Sequence, residues 1–202
     1  MKKTILLFIL LVCFVSNINS QTGWYQINSG IPNSNYISSI FFSDLNTGYC
    51  CGGDYNGSVF VRKTTNQGMN WNSLNVSGIF AITLHKMFFI NNNTGFISGK
   101  CTAGADYEGI VARTTNGGIN WNTSFASGTR ELYGIQLIND SIGFAVGYYI
   151  TYSNSARVIV KTTDRGISWS PSISYWNNSD EFFDVHFPSI QTGYVVGLNF
   201  FN

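Results

Sequence analysis

Thr64–Thr65–Asn66–Gln67–Gly68–Met69–Asn70–Trp71 returns twice along this chain. It recurs as Thr114–Thr115–Asn116–Gly117–Gly118–Ile119–Asn120–Trp121 and as Thr162–Thr163–Asp164–Arg165–Gly166–Ile167–Ser168–Trp169. The shared pattern is T-T-[ND]-x-G-[MI]-[NS]-W, and its Trp residues lie 50 and 48 positions apart. A fixed period of that size is the mark of a repeat architecture. Asn or Asp at the third position can accept hydrogen bonds from backbone N–H groups two residues on, and the Gly supplies the positive φ of a tight hairpin. Apolar, β-branched segments precede each copy: Val59 to Val61, Ile110 to Ala112 and Val158 to Val160. Each reads as a strand entering a hairpin, with the Trp opening the returning strand and covering the turn. A motif made three times at equivalent places builds the fold.

A second landmark shares the period, with leading glycines Gly48, Gly95, Gly143 and Gly193, spaced 47, 48 and 50 apart. Each opens a Gly–aromatic strand that ends on another Gly: Gly52, Gly99, Gly147 or Gly197. Before it comes an apolar strand with matched positions, Ile40/Phe42, Met87/Phe89, Ile135/Leu137 and Val185/Phe187. One repeat is therefore four strands, and four-stranded units of about 40–50 residues are propeller blades. The expected class is all-β, with three complete blades at 36–77, 84–127 and 131–175 and a half blade at 181–202. Gly23–Trp24–Tyr25–Gln26–Ile27 reads as an outer strand that latches a closed ring. The leading Gly precedes the first Thr of the box by 16, 19 and 19 residues, which places a fourth box seven to ten residues beyond Asn202. The expectation is a propeller incomplete at the C-terminus, lacking some two to four blades.

The repeated box resembles the Asp-box, or BNR, repeat S/T-x-D-x-G-x-x-W, over nearly the whole chain after residue 21. Asn66 and Asn116 replace its Asp and keep the acceptor; Asp164 matches it. The resemblance implies a β-propeller with Thr64, Asn66, Gly68 and Trp71, Thr114, Asn116, Gly118 and Trp121, and Thr162, Asp164, Gly166 and Trp169 in structural roles. The variant K-T-T-N-G-G-x-N-W is most similar to propellers related to the photosystem II assembly factor. Such repeats also occur in large secreted bacterial surface proteins.

At the N-terminus, Met1–Lys2–Lys3 is a basic region and Ile5 to Val15 an apolar one, with Ile18–Asn19–Ser20 as a cleavage site before Gln21. Residues 1–20 read as a secretory signal peptide, too short to span a bilayer. The expected location is secreted or cell-surface, with the propeller at 21–202. Cleavage takes Lys2 and Lys3 from 11 basic residues, leaving nine against 10 acidic ones, a net charge of −1. That is no electrostatic footprint for nucleic acid or an anionic membrane. The remaining cysteines, Cys50, Cys51 and Cys101, allow one bridge between repeats or three buried thiols. Metal binding is not expected, because no His lies at C-x₂-C-type spacing, and no cofactor is implied.

Ligand candidates sit where the repeats differ, since variable loops on a rigid scaffold are the usual binding positions. They are Asp54 and Tyr55 with Asn56, then Asp106, Tyr107 and Glu108, then Tyr149 and Tyr152 with Tyr148. Blade links add Arg130, Glu131, Trp176, Asp180 and Glu181. Tyrosines and carboxylates suit a protein or glycan partner. No catalytic residue is assigned. His186 matches Phe41, Phe88 and Gln136 in register and reads as a hydrogen-bonded core residue; His85 has no partner motif. The alternative is a sialidase-like or other glycoside hydrolase with catalytic residues partly outside this chain. Sialidases need three convergent arginines, and only Arg130 and Arg157 stand outside repeat-consensus and box positions.

Overall fold

A computed structural model describes residues 30–31, 35–103, 106–150, 155–176 and 181–198. The signal segment, the 23–27 latch, Tyr152, Asp180 and the terminal 199–202 lie outside the described residues. Every described element is a β-strand. The first sheet holds β1 (Asn35–Phe42), β2 (Gly48–Asp54), β3 (Val59–Thr64) and β4 (Asn72–Ser73) in that order. The second holds β5 (Thr83–Phe89), β6 (Gly95–Ala103), β7 (Asp106–Thr114) and β8 (Asn122–Phe125). The third holds β9 (Glu131–Leu137), β10 (Gly143–Ile150), β11 (Ser155–Thr162) and β12 (Ser170–Trp176). β13 (Glu181–His186) and β14 (Tyr194–Leu198) pair as a two-stranded sheet. All pairings are antiparallel meanders. These are propeller blades, and the strand boundaries follow the repeat period.

The blades stack face to face through one repeated seam. Between the first two sheets, Tyr49, Cys51 and Val61 meet Leu84, Met87, Phe89, Ile97 and Trp121. One period on, Phe96 and Val111 meet Leu132, Ile135, Leu137, Ala145 and Trp169. Alternation sends successive side chains of a strand to opposite faces. Since both faces of an interior blade are covered, the middle stretches of its strands are apolar on both sides, as in Gly109–Ala112 of β7, and charged residues fall towards the strand ends. Trp121 and Trp169 therefore each fill the seam with the preceding blade. Trp71, on the first sheet, is only half-buried and packs edge-on against Phe42 with ring centroids 6.0 Å apart.

The box turn is held by its threonine more than by its third residue. Thr64 Oγ1 accepts from the Gly68 N–H (3.0 Å) and donates to Asn66 Oδ1 (2.9 Å). Asn66 Oδ1 in turn accepts from the Asn70 N–H, four residues on and not two as the turn chemistry suggested. The backbone explains it: Gln67 and Gly68 both have positive φ, 62° and 85°, which curls the chain over the Asn side chain. Gly118 and Gly166 repeat this conformation. Space matters as well, because a Cβ on Gly166 would meet Phe96 Cε1 of the preceding blade at 2.4 Å.

Asp164 is bonded like Asn116 but carries charge. The Ser168 hydroxyl and N–H, then Thr162 and Ile167, hold its carboxyl down to about 2. NMR titration should therefore find Asp164 ionised to about pH 2. Asn116→Asp should change stability by less than about 0.5 kcal/mol, because the same Thr and backbone donors receive the carboxylate. A shift of several degrees in the melting midpoint would contradict this.

Cys50, Cys51 and Cys101 are free and buried, so the unbridged alternative holds. Burial pushes the Cys50 and Cys51 thiols up to about 11 and about 12. His186 is exposed and does not occupy the core. Its register position points toward the next blade, as Phe88 does, and no described sheet covers that face of β13–β14. No helix among the described residues is long and apolar enough to cross a membrane.

Candidate functional site

The two faces of the blades differ as the loop lengths suggested. Box turns and the Asp44, Asn91 and Asn139 turns sit together on one face. Gln67, Gly117 and Arg165 donate their N–H groups to Asn46, Asn93 and Ser141 carbonyls there. That face is also laced across the seam, with the Tyr49 hydroxyl donating to the Asn92 carbonyl at 2.9 Å. The opposite face carries the β2–β3 turns and the links between blades, and it holds a cleft.

The cleft, about 530 Å³, spans the first seam and is lined by Tyr36, Asp54, Tyr55, Asn56, Gly57, Ile82, Thr83, Lys100 and Tyr107. Asp54 is spent partly on its own turn: Oδ1 accepts from the Asn56 and Ser58 N–H groups at 2.8 and 2.9 Å. Those backbone bonds, the one from Ser58 foremost, hold its carboxyl below the ordinary range. The turn presents Tyr55 to solvent at 91% exposure, its ring 6.0 Å from Tyr36. Across the cleft, Tyr107 lies under two cations, Lys100 Nζ at 5.2 Å and the Arg130 guanidinium at 4.8 Å. Arg130 also binds Asp106 at 2.5 Å. Such contacts fix the Tyr107 ring in place.

Beneath the cleft lies a buried ionic cluster at the second seam. Glu131, 4% exposed, accepts from Lys100 Nζ at 2.9 Å and pairs with His85 Nε2 at 2.6 Å. The Tyr148 hydroxyl donates to it at 3.4 Å. Burial alone would raise the Glu131 carboxyl, but the bonds and charges of His85 and Lys100 outweigh it and hold it below its ordinary value. Tyr133 stacks on Tyr148 at 6.0 Å and meets the His85 ring edge-on at 4.8 Å. Glu181 moves the other way: burial, reinforced by the charge of Glu131, raises its carboxyl despite a hydrogen bond with Tyr133.

Of the residues chosen from sequence, Asp54, Tyr55 and Tyr107 line the cleft, and Asp106 and Arg130 brace it. They sit at strand ends more than in loops, since β7 already begins at Asp106. Glu108 is not in the lining; it accepts from Ser127 Oγ at 3.3 Å on the blade link. Tyr149 sits opposite Ala156 on β10, one blade away. The sequence reading missed Tyr36, Lys100 and the partner of His85. A signal existed: Tyr36, Thr83, Glu131 and Glu181 are register equivalents, as are Gly53, Lys100 and Tyr148. Where a repeat's seam is uniform and its rim is not, the rim carries the individuality.

No protein-family model matches the chain, and no curated protein matches it. Solved structures with a likeness include "YCF48 bound to D1 peptide", at 12% identity and TM-score 0.33, covering 81% of this chain and 76% of that one. "YCF48 from Cyanidioschyzon merolae" matches at 13% identity and TM-score 0.26, over 83% of this chain and 94% of that one. Likenesses this distant carry nothing about the ligand of this chain.

Proposed function

We propose that this chain is a secreted, non-enzymatic Asp-box propeller that binds a protein segment or a glycan across the cleft at the first seam. The cleft carries the reading: Tyr36 and Tyr107 stand near strand ends and Tyr55 on the β2–β3 turn, around hydrogen-bonding groups already oriented by their own turns. Aromatic faces with few rotatable bonds give contact area at small entropic cost. The turn geometry of all three boxes and the basic–apolar N-terminal sequence support the Asp-box and export parts of the proposal. Mass spectrometry of the exported protein should find Gln21 as its first residue.

The hydrolase alternative needs two carboxylates facing one bond. Glu131 is sealed beneath the cleft by His85 and Lys100, and Asp54 is tied to its own turn. Both are built in as structure.

Peptide and glycan arrays identify a ligand of the wild-type chain. Tyr55→Ala and Tyr107→Ala should each then weaken binding by about 1–2 kcal/mol, or roughly 5–30-fold. Glu108→Ala should leave it unchanged, because Glu108 faces the blade link. Binding that survives both tyrosine changes would place the ligand elsewhere.

A further inference from the structure

Asp followed by Tyr occurs twice in this chain, and both pairs stand at the cleft: Asp54–Tyr55 where β2 ends and Asp106–Tyr107 where β7 begins. The second pair holds a cation. Arg130 binds the Asp106 carboxylate at 2.5 Å and lays its guanidinium 4.8 Å from the centre of the Tyr107 ring. A planar guanidinium suits that double contact, because it stacks on an aromatic face while its N–H groups reach a carboxylate. Among the described residues, no Lys or Arg pairs with Asp54 or lies over the Tyr55 ring. Asp54 Oδ1 accepts from its own turn, and Tyr55 is 91% exposed, with the Tyr36 ring 6.0 Å away and inclined at 49°.

We propose, resting on the reading of this cleft as the ligand site, that Asp54 and Tyr55, with Tyr36 beside them, bind an arginine side chain. The occupant is then a protein segment with a basic residue, and it repeats at the first pair the contact that Arg130 makes at the second. Two tilted rings beside a carboxylate form an open-sided cage, an arrangement that attracts cations through the negative faces of the rings.

Charge complementarity favours that occupant. Lys100 and Arg130 are matched by Glu131 at 2.9 Å and Asp106 at 2.5 Å, so their charges are neutralised within the rim. Asp54 is left as a carboxylate without a cation, kept ionised by the backbone bonds of its turn. Its field reaches Tyr36, whose hydroxyl is raised by burial first and by the Asp54 charge next. The cleft, at about 530 Å³, has room for the side chain and the backbone that carries it. A neutral sugar would gain ring stacking there but nothing from the unmatched charge.

NMR titration of the wild-type chain with an end-blocked Gly-Arg-Gly peptide tests this, with the citrulline peptide of the same shape as the neutral probe. The arginine peptide should shift the Tyr36, Asp54 and Tyr55 resonances. The citrulline peptide should bind roughly tenfold more weakly, since it lacks the charge that both contacts use. Asp54→Asn should weaken the arginine peptide about threefold or more while the turn persists, because an Asn side-chain oxygen accepts the same backbone bonds. Raising the salt concentration should weaken the arginine peptide and leave the citrulline peptide unchanged. Equal binding of the two peptides, no shift with either, or an arginine affinity unchanged in Asp54→Asn overturns the proposal. An array ligand that lacks a basic side chain yet weakens in Tyr55→Ala overturns the arginine and leaves the cleft reading standing. A ligand whose binding survives both Tyr55→Ala and Tyr107→Ala overturns the two together.

Discussion

Trp121→Ala is expected to lower stability by about 3–5 kcal/mol, the range for emptying a large aromatic site in a well-packed interior. The ring is 4% exposed and lies in the seam between the first two blades, edge-on to Phe89. The backbone leaves little room for collapse, since a Cβ on Gly78 would already meet the Trp121 carbonyl oxygen at 1.9 Å. The loss should therefore fall near the top of the range. Trp121→Phe should cost much less. It keeps an aromatic ring in the site and removes an indole N–H that has no hydrogen-bond partner among the described residues. Trp71→Ala should be clearly milder than Trp121→Ala, because Trp71 is only half-buried. Denaturant melts of the three variants decide it. An unchanged midpoint in Trp121→Ala would show that the box tryptophans do not carry the seam.

Glu131→Gln is expected to cost about 2–3 kcal/mol, through loss of two charge-assisted bonds under the cleft. The figure stays below that of a fully buried pair because Lys100 and His85 side chains are 22% and 23% exposed and can still reach water. The same residue sets an acid limb. Its folded carboxyl lies below its ordinary value of 4.5. The stabilisation is therefore fully present above that value and lost as pH falls through the lower folded value. Wild type should lose stability steadily below about pH 4.5, and Glu131→Gln should flatten that limb. Equal acid sensitivity in both proteins would assign the limb to other carboxylates. Releasing Lys100 should also loosen Tyr107, so the variant should bind any cleft ligand more weakly.

The box, the period and the strand order were legible because each depends on neighbours in sequence. Thr64, Asn66 and Gly68 close their turn within five residues, and Gly supplies a positive φ that most residues avoid. The apolar ladder at Ile40, Met87, Ile135 and Val185 was legible for the same reason: a strand alternates its faces, and a repeat alternates them in phase. The candidate residues at the rim were found in part. Asp54, Tyr55 and Tyr107 announced themselves as departures from the repeat, whereas Lys100 stood one residue past a landmark Gly.

Composition and spacing by themselves determined an all-β repeat chain, its seam positions and the places where one blade differs from the next. Only the tertiary structure decided which of those differences meet. His85 and Glu131 are 46 residues apart, and Lys100 and Glu131 are 31 apart. Nothing local records such a pairing, because the partner of a side chain at a blade rim is set by how one sheet stacks on the next. The cysteines make the same point. Spacing allowed a bridge or three thiols, and the fold left Cys51 in the first seam while Cys101 stood opposite Glu108 at the far end of β6. The exposure of His186 follows too, since its register promised a core position only where another sheet lies against it. Hydrogen bonds within a turn are a property of the chain; contacts across a seam are a property of the stack.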